Sequence, residues 1–180
     1  VKKIGFYVVL GEPGTISNKD VGITATLGEK NGKLTNSTYA TQAQEQIAKK
    51  VGRGRVVVVD KAPQRVITLL PSLGEIVCEL KACDLLVGVD RYSNWPERVK
   101  SLPQLGGLDD TQLEALVKLK PDLVLLARSA RVTQRLESMG IKVVALEPQS
   151  QEDMRRVIQH IAGALHLPDA KVRSETLWQS

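Results

Sequence analysis

From residue 65 onward, short apolar runs alternate with stretches whose apolar residues recur at helical spacing. Arg65 to Leu70 (RVITLL) is a β-branched run halted at Pro71-Ser72. Ser72 reads as a helix N-cap, with Glu75 three residues later completing a capping box. Leu73, Ile76, Val77 and Leu80 then fall at i, i+3, i+4 and i+7, one apolar stripe. Leu85 to Val89 predicts a second strand, followed by the polar loop Asp90 to Pro96. Gly106-Gly107 breaks the chain, and Asp109, Asp110 or Thr111 is expected to cap a helix with Leu113, Leu116 and Val117 inside. Lys118 and Lys120 sit at its C-terminal end, where the helix dipole favours cations, and Pro121 stops it. Asp122 to Ala127 is a continuous apolar strand; Val132, Leu136 and Met139 stripe a helix that Gly140 terminates; Ile141 to Leu146 is a further strand. The strongest helical pattern is Gln151 to Leu165, with Met154, Val157, Ile158, Ile161 and Leu165 on one side. Beyond Pro168 another helix begins at Asp169.

Four strands separated by such helices make βαβ units with right-handed crossovers. The expected fold class is therefore α/β, an open parallel-sheet, Rossmann-like lobe with helices on both faces, preceded by a small αβ N-terminal unit. In that unit Ile4 to Leu10 and Val21 to Leu27 read as strands, Asn31-Gly32 as a hairpin turn, and Gln42 to Val51 as a helix. Gly52-Arg53-Gly54 marks a junction, which divides the chain into residues 1–55, of unassigned role, and residues 56–180. The stretch from Ile23 to Val59 resembles the BON domain, a small αβ module of the bacterial envelope.

Composition supports a buried core: 42% of residues are apolar but only 3% aromatic, the diet of strands covered on both faces. The net charge of +5 comes from scattered Lys and Arg with no aromatic–basic surface, so nucleic acid is not an expected partner. Two cysteines, Cys78 and Cys83, are too few for a disulfide framework, and Cys78 in its apolar helical stretch reads as a small core residue. Two thiols with no nearby His do not predict a metal site. No apolar run approaches the ~20 residues of a membrane helix. Lys2-Lys3 and the short apolar run after them lack a cleavage site, and a start at Val1 is expected of a processed or partial chain.

In an open parallel sheet, ligands gather beyond the carboxyl ends of the strands. Four loops should meet there: Pro71 to Gly74, Asp90 to Pro96, Arg128 to Ala130 including Ser129, and Glu147 to Ser150. Their hydroxyls, one Tyr and one Trp suit the gripping of a bulky polar ligand. Chemistry finds less support. His160 and His166 lie on or after the last long helix, away from these loops, and no nucleophile elbow or phosphate loop follows a strand. Asn36-Ser37-Thr38 fits the glycosylation triplet but reads better as a turn or cap. Neither an enzyme nor a bound cofactor is expected.

Four segments carry a family resemblance: APQRVITLLPSLGEIVCEL (Ala62 to Leu80), LLVGVDRYSNWP (Leu85 to Pro96), LPQLGGLDDTQLEALVKLKPDLVLL (Leu102 to Leu126) and LESMGIKVVAL (Leu136 to Leu146). In this order they resemble the N-terminal lobe of the periplasmic cobalamin- and ferric-siderophore-binding proteins, the helical backbone metal receptor group. The resemblance implies two α/β lobes joined by one long helix, whose start Asp169 to Gln179 resembles, with the ligand held between the lobes. It places Ser72, Leu73 and Gly74 in the first cleft loop, and Tyr92 on an aromatic that contacts corrin. Trp95 falls where another ring occurs, and Leu108 and Ala127 at cleft positions that are Trp in the cobalamin binder. Glu114 matches a carboxylate that docks on arginines of the importer's membrane subunit. The alternative for Tyr92 and Trp95 is packing of their own loop, weaker for Tyr92 and even for Trp95, and from the residues alone Glu114 reads equally as an ordinary solvated acid near a helix N-terminus.

The expectation is a periplasmic or extracytoplasmic substrate-binding component of an ABC importer, with a membrane anchor before processing compatible with it. Its ligand would be cobalamin, a ferric siderophore or a similar metal chelate. The rival is an envelope interaction or sensor module; were the second lobe truly missing, two exposed cleft faces would favour a homodimer. A flavodoxin-like enzyme would need a cofactor loop that the chain does not offer.

Overall fold

The computed structural model describes residues 2–10, 21–27, 54–59, 62–127, 130–146, 148 and 150–180. Near the N-terminus, β1 (Lys2–Leu10) lies between β2 (Val21–Leu27) and β3 (Gly54–Val59), antiparallel to both. The strand β3 runs across the predicted junction at 55/56. The Asn31-Gly32 turn, the helix expected over 42–51 and most of the BON-like stretch lie outside the described residues.

The second sheet is fully parallel. Its strands β4 (Val66–Thr68), β5 (Leu86–Val89), β6 (Leu123–Leu126) and β7 (Val143–Ala145) are ordered β5-β4-β6-β7. Successive side chains of a strand point to opposite faces, and two cores follow. Val66, Leu123, Leu125 and Val144 face α1 (Pro71–Glu79), α4 (Gln151–Ala164) and α5 (Ala170–Gln179). Ile67, Val124, Leu126 and Val143 face α2 (Leu113–Lys118) and α3 (Thr133–Ser138). The expected parallel sheet with helices on both faces is the architecture found.

The long stripes are largely as expected: Leu73, Ile76 and Val77 of α1 with Leu80 just after it, and Val157, Ile158 and Ile161 of α4 with Leu165 just after it, are buried, while Met154 is half-buried. Ser150 caps α4, its Oγ accepting the Asp153 N–H at 3.1 Å. Several local details differ from the sequence reading. Ser72 is not the cap of α1: Leu70, in extended backbone, holds that place, and Pro71 occupies the first helical position. Proline's fixed φ suits that position and its missing N–H costs nothing there. Gln112, not Asp109, Asp110 or Thr111, precedes α2. Val117 and Met139 are exposed, because helices of six residues make fewer than two turns and carry few positions to the sheet.

Cys78 and Cys83 form a disulfide, against the expectation that Cys78 is merely a core thiol. After α1 ends, Lys81 takes left-handed backbone (φ 65°), and a 3₁₀ turn at Cys83–Leu85 folds back against the helix. The two Cα atoms come within 4.1 Å. His160 is buried on α4, and the Nε2–H of His166 donates to the Val59 carbonyl at 2.7 Å, so neither histidine lies at the rim.

Candidate functional site

Because the four strands are parallel, their carboxyl ends share one rim. The strands β4 and β6 are neighbours, yet the connection after β4 runs through α1 on one face and that after β6 through α3 on the other. Where adjacent connections diverge they leave a crevice at the strand ends, the usual ligand position in open α/β sheets. Ser72, half-buried in the first turn of α1, borders that crevice from the β4 side. Ala127 follows directly after β6, but it is fully buried, as is Leu73; both shape the rim from beneath rather than present side chains to it. Gly74 is buried too. A Cβ there would stand 2.9 Å from the Thr68 Oγ1, so glycine lets α1 lie against the end of β4. Ser129 lies outside the described residues.

The aromatic side chains face solvent. Tyr92 is 66% exposed and Trp95 59%, in the loop that follows β5, while Leu108 is 36% exposed on the adjacent loop. Large rings left this open on a polar loop are surface that packing does not use. Glu114 is exposed in the first turn of α2, where the helix dipole favours an acid.

The loop holding Tyr92 is built from residues that motif reasoning passed over. Asp90 is almost wholly buried, and its carboxylate accepts the Tyr92 N–H at 3.0 Å and the Ser93 hydroxyl. Backbone bonds then zip this loop to the next one: Val89 N–H to the Pro103 carbonyl (3.0 Å), Leu105 N–H to Val89 (2.8 Å) and Arg91 N–H to Gly106 (2.9 Å). Gly106 has φ +91°, and a Cβ on it would come within 2.4 Å of the Asp110 carbonyl oxygen, so the turn requires glycine. Asp110 and Thr111 brace the turn from inside instead of capping a helix. Asp110 Oδ1 accepts the Gly107 N–H at 2.7 Å, and Thr111 Oγ1 donates to the Gly107 carbonyl at 2.8 Å. The other Asp110 oxygen pairs with Arg91, whose guanidinium carbon lies 5.7 Å from the Tyr92 ring centroid. The Asp-x-x-Ser spacing of Asp90 and Ser93 was the one sequence signal for this scaffold, since short polar side chains bond backbone two or three residues on.

At the β7 end of the rim, Pro148, Ser150, Gln151, Met154 and Trp178 line an open groove of about 580 Å³. A depression of about 390 Å³ lined by Pro63, Gln64, Pro121, Asp122 and Lys142 opens at the other ends of the strands, away from the rim. Among the described residues no group of three or more His, Cys, Asp or Glu side chains is placed to hold a metal ion. Among them, too, no helix is long and apolar enough to cross a membrane.

Comparison with known proteins agrees with this geometry. A vitamin B12-binding protein of Photorhabdus laumondii is 30% identical over 118 residues, 64% of this chain and 43% of its own. An ABC transporter substrate-binding lipoprotein of Bacillus subtilis is 32% identical over 114 residues, covering 60% of this chain and 36% of its own. Among solved structures, a periplasmic heme-binding protein of Pseudomonas aeruginosa superposes with a TM-score of 0.60 at 28% identity, over 65% of this chain and 42% of that one. The chain thus spans less than half the length of these relatives. Residues 66–180, well over half of the chain and the whole parallel-sheet lobe, match the periplasmic binding protein family, and the chain belongs to it.

Proposed function

We propose that residues 56–180 form the N-terminal, ligand-facing lobe of the substrate-binding component of an ABC importer. Its ligand is cobalamin, a ferric siderophore or a similar bulky metal chelate. The observation that carries this reading is the pair of open aromatic rings, Tyr92 and Trp95, standing on a hydrogen-bonded double loop at the carboxyl rim of the sheet. Flat aromatic faces stack on conjugated macrocycles, and a loop already held in place loses little freedom on binding. Ser72 and Ser129 would add hydroxyl contacts across the crevice and Leu108 an apolar one, with the buried Leu73, Gly74 and Ala127 supporting the rim from beneath.

The lobe captures and hands over; it makes and breaks no bond. Glu114, exposed on α2, serves as a charged contact for the membrane permease, where complementary charge fixes register and speeds encounter. That role belongs outside the cytoplasm. The relatives, a vitamin B12-binding protein, a heme-binding protein and an ABC transporter substrate-binding lipoprotein, support the same class.

The test is a spectroscopic titration with cyanocobalamin, hemin and a ferric chelate. Binding of at least one is expected, with Tyr92→Ala weakening it about tenfold, the worth of one stacking face. Glu114→Lys should leave that affinity unchanged and slow delivery to the reconstituted permease. Failure to bind any of the three sinks the proposal. A second reading, an envelope interaction module, draws on the antiparallel sheet β1–β3, which lies outside the matched residues 66–180. It gains if the chain self-associates through the rim and binds none of the probes.

A further inference from the structure

The Arg91–Asp110 pair sits directly beside the Tyr92 ring and is unexplained by the fold. Its partners are exposed by 42% and 58%, so packing does not demand it, and the loops are already joined by three backbone bonds. What the pair controls is the charge at the edge of the ring. The Arg91 guanidinium stands 5.7 Å from the ring centroid, and a Cβ built on Gly107 would lie 3.5 Å from Tyr92 Cε2 and 3.9 Å from Arg91 Nε. Ring, guanidinium and Gly107 therefore form one packed corner. Left alone, that corner would present a cation to whatever lies on Tyr92. With Asp110 in place the corner is neutral, and Asp110 is itself anchored by the Gly107 N–H at 2.7 Å.

We infer that Asp110 sets the charge preference of the Tyr92 platform: by neutralising Arg91 it favours a flat ligand with an uncharged, amide- or hydroxyl-bearing edge over one carrying carboxylates. The inference rests on the reading of the rim as a ligand site and goes beyond it by naming the ligand's edge chemistry. An incoming carboxylate meets a guanidinium already engaged and a second carboxylate beside it, so it must displace Asp110 or endure its repulsion. An amide edge meets neither cost and finds donors and acceptors still available on both partners.

Asp110→Asn separates charge from scaffold, because the asparagine carbonyl still accepts the Gly107 N–H while Arg91 is released. The probes are hemin, whose propionates are carboxylates, and cyanocobalamin, whose edge is mainly amides. In the 180-residue chain, Asp110→Asn should raise the hemin-to-cyanocobalamin affinity ratio about fivefold, the reach of one exposed charge pair. Arg91→Gln with Asp110→Asn should abolish that gain. An unchanged ratio, or equal loss for both probes, overturns the charge preference while leaving the rim as a binding site. If neither the parent chain nor Asp110→Asn binds either probe, the ligand reading of the rim fails and the preference fails with it. Side-chain ¹⁵N NMR of Arg91 gives a check that needs no ligand. Slowed guanidinium rotation that Asp110→Asn releases is the expected result, and free rotation in the parent chain would refute the pairing on which the inference stands.

Discussion

Thr68 closes β4 with its hydroxyl fully buried and, among the described residues, without a hydrogen-bond partner. A buried polar atom left unpaired gives up its bonds to water and receives nothing in return. The hydroxyl faces Gly74, the residue that lets α1 approach the sheet. Thr68→Val keeps the branched shape and removes the polar atom, so it should stabilise the chain by about 1 kcal/mol, read as a higher urea midpoint with an unchanged slope. A lower midpoint would mean that the hydroxyl is bonded after all, through a water or a rotated side chain. Single residues of this kind show where sequence reasoning stops. Tyr92 and Trp95 could be singled out as rings in a polar loop, because ring type and loop composition are local properties. The partners of Asp90 and Asp110 could not, because their value depends on two loops meeting after a strand and a glycine turn have placed them. Leu73 and Ala127 mark the same limit from the other side: the family resemblance gives them cleft positions, and the fold buries both side chains completely.

Whole elements were more legible where they are long. The stripes of α1 and α4 run for two turns or more, so the periodicity repeats enough to fix the buried face. In α2 and α3 it does not, and Val117 and Met139 were assigned inward although they are exposed. The packing of α5 on α4 could not be read from apolar pattern either, for charged side chains clamp the pair. Arg155 donates from Nε and Nη2 to both carboxylate oxygens of Glu175 at 2.8–3.1 Å, and Gln159 adds a bond of 3.0 Å. Hydrogen bonding from Arg155, opposed by desolvation and helped by the Arg155 charge, by Gln159 and by the Lys171 charge, holds the Glu175 carboxyl below the ordinary glutamate range. A lowered folded-state pKa contributes stability that is fully present above the unfolded value and is lost as pH falls through the folded one. Glu175→Gln should therefore melt below the parent chain at neutral pH, and the gap should close on acidification once the parent's glutamate takes up its proton. Melting curves at neutral pH and near pH 3 decide it: a gap that persists at the acid end would assign the clamp to shape rather than charge.

For the molecule as a whole, the alternation of strand and helix after residue 65 was enough to establish a parallel sheet covered on both faces, since apolar strands without polar alternation need cover on each side. The arrangement before it was less legible. Arg55 to Val59 is a β-branched run as regular as any later strand, but it abuts Gly52-Arg53-Gly54, which reads locally as a junction. What makes it a strand is its pairing with β1, fifty residues earlier, which no local pattern reports. Its last residue also leaves the N-terminal sheet for the lobe. The Val59 side chain is 2% exposed within the same core as Val144, Leu146 and Ile161, and its carbonyl accepts from His166 at 2.7 Å. If β3 is where the two units are joined, shortening Val59 must weaken the lobe and not only the sheet that contains it. Val59→Ala removes two buried methyl groups and leaves a partial void, a loss of about 2 kcal/mol. The place to look is the Leu146 amide, which donates to the Leu126 carbonyl at 2.8 Å on the rim side of the parallel sheet. Native-state hydrogen exchange there should quicken by roughly thirtyfold if the loss is shared by the lobe's global opening. Exchange at Leu146 that stays at the parent rate would show two units that unfold separately, with Val59 serving only the first.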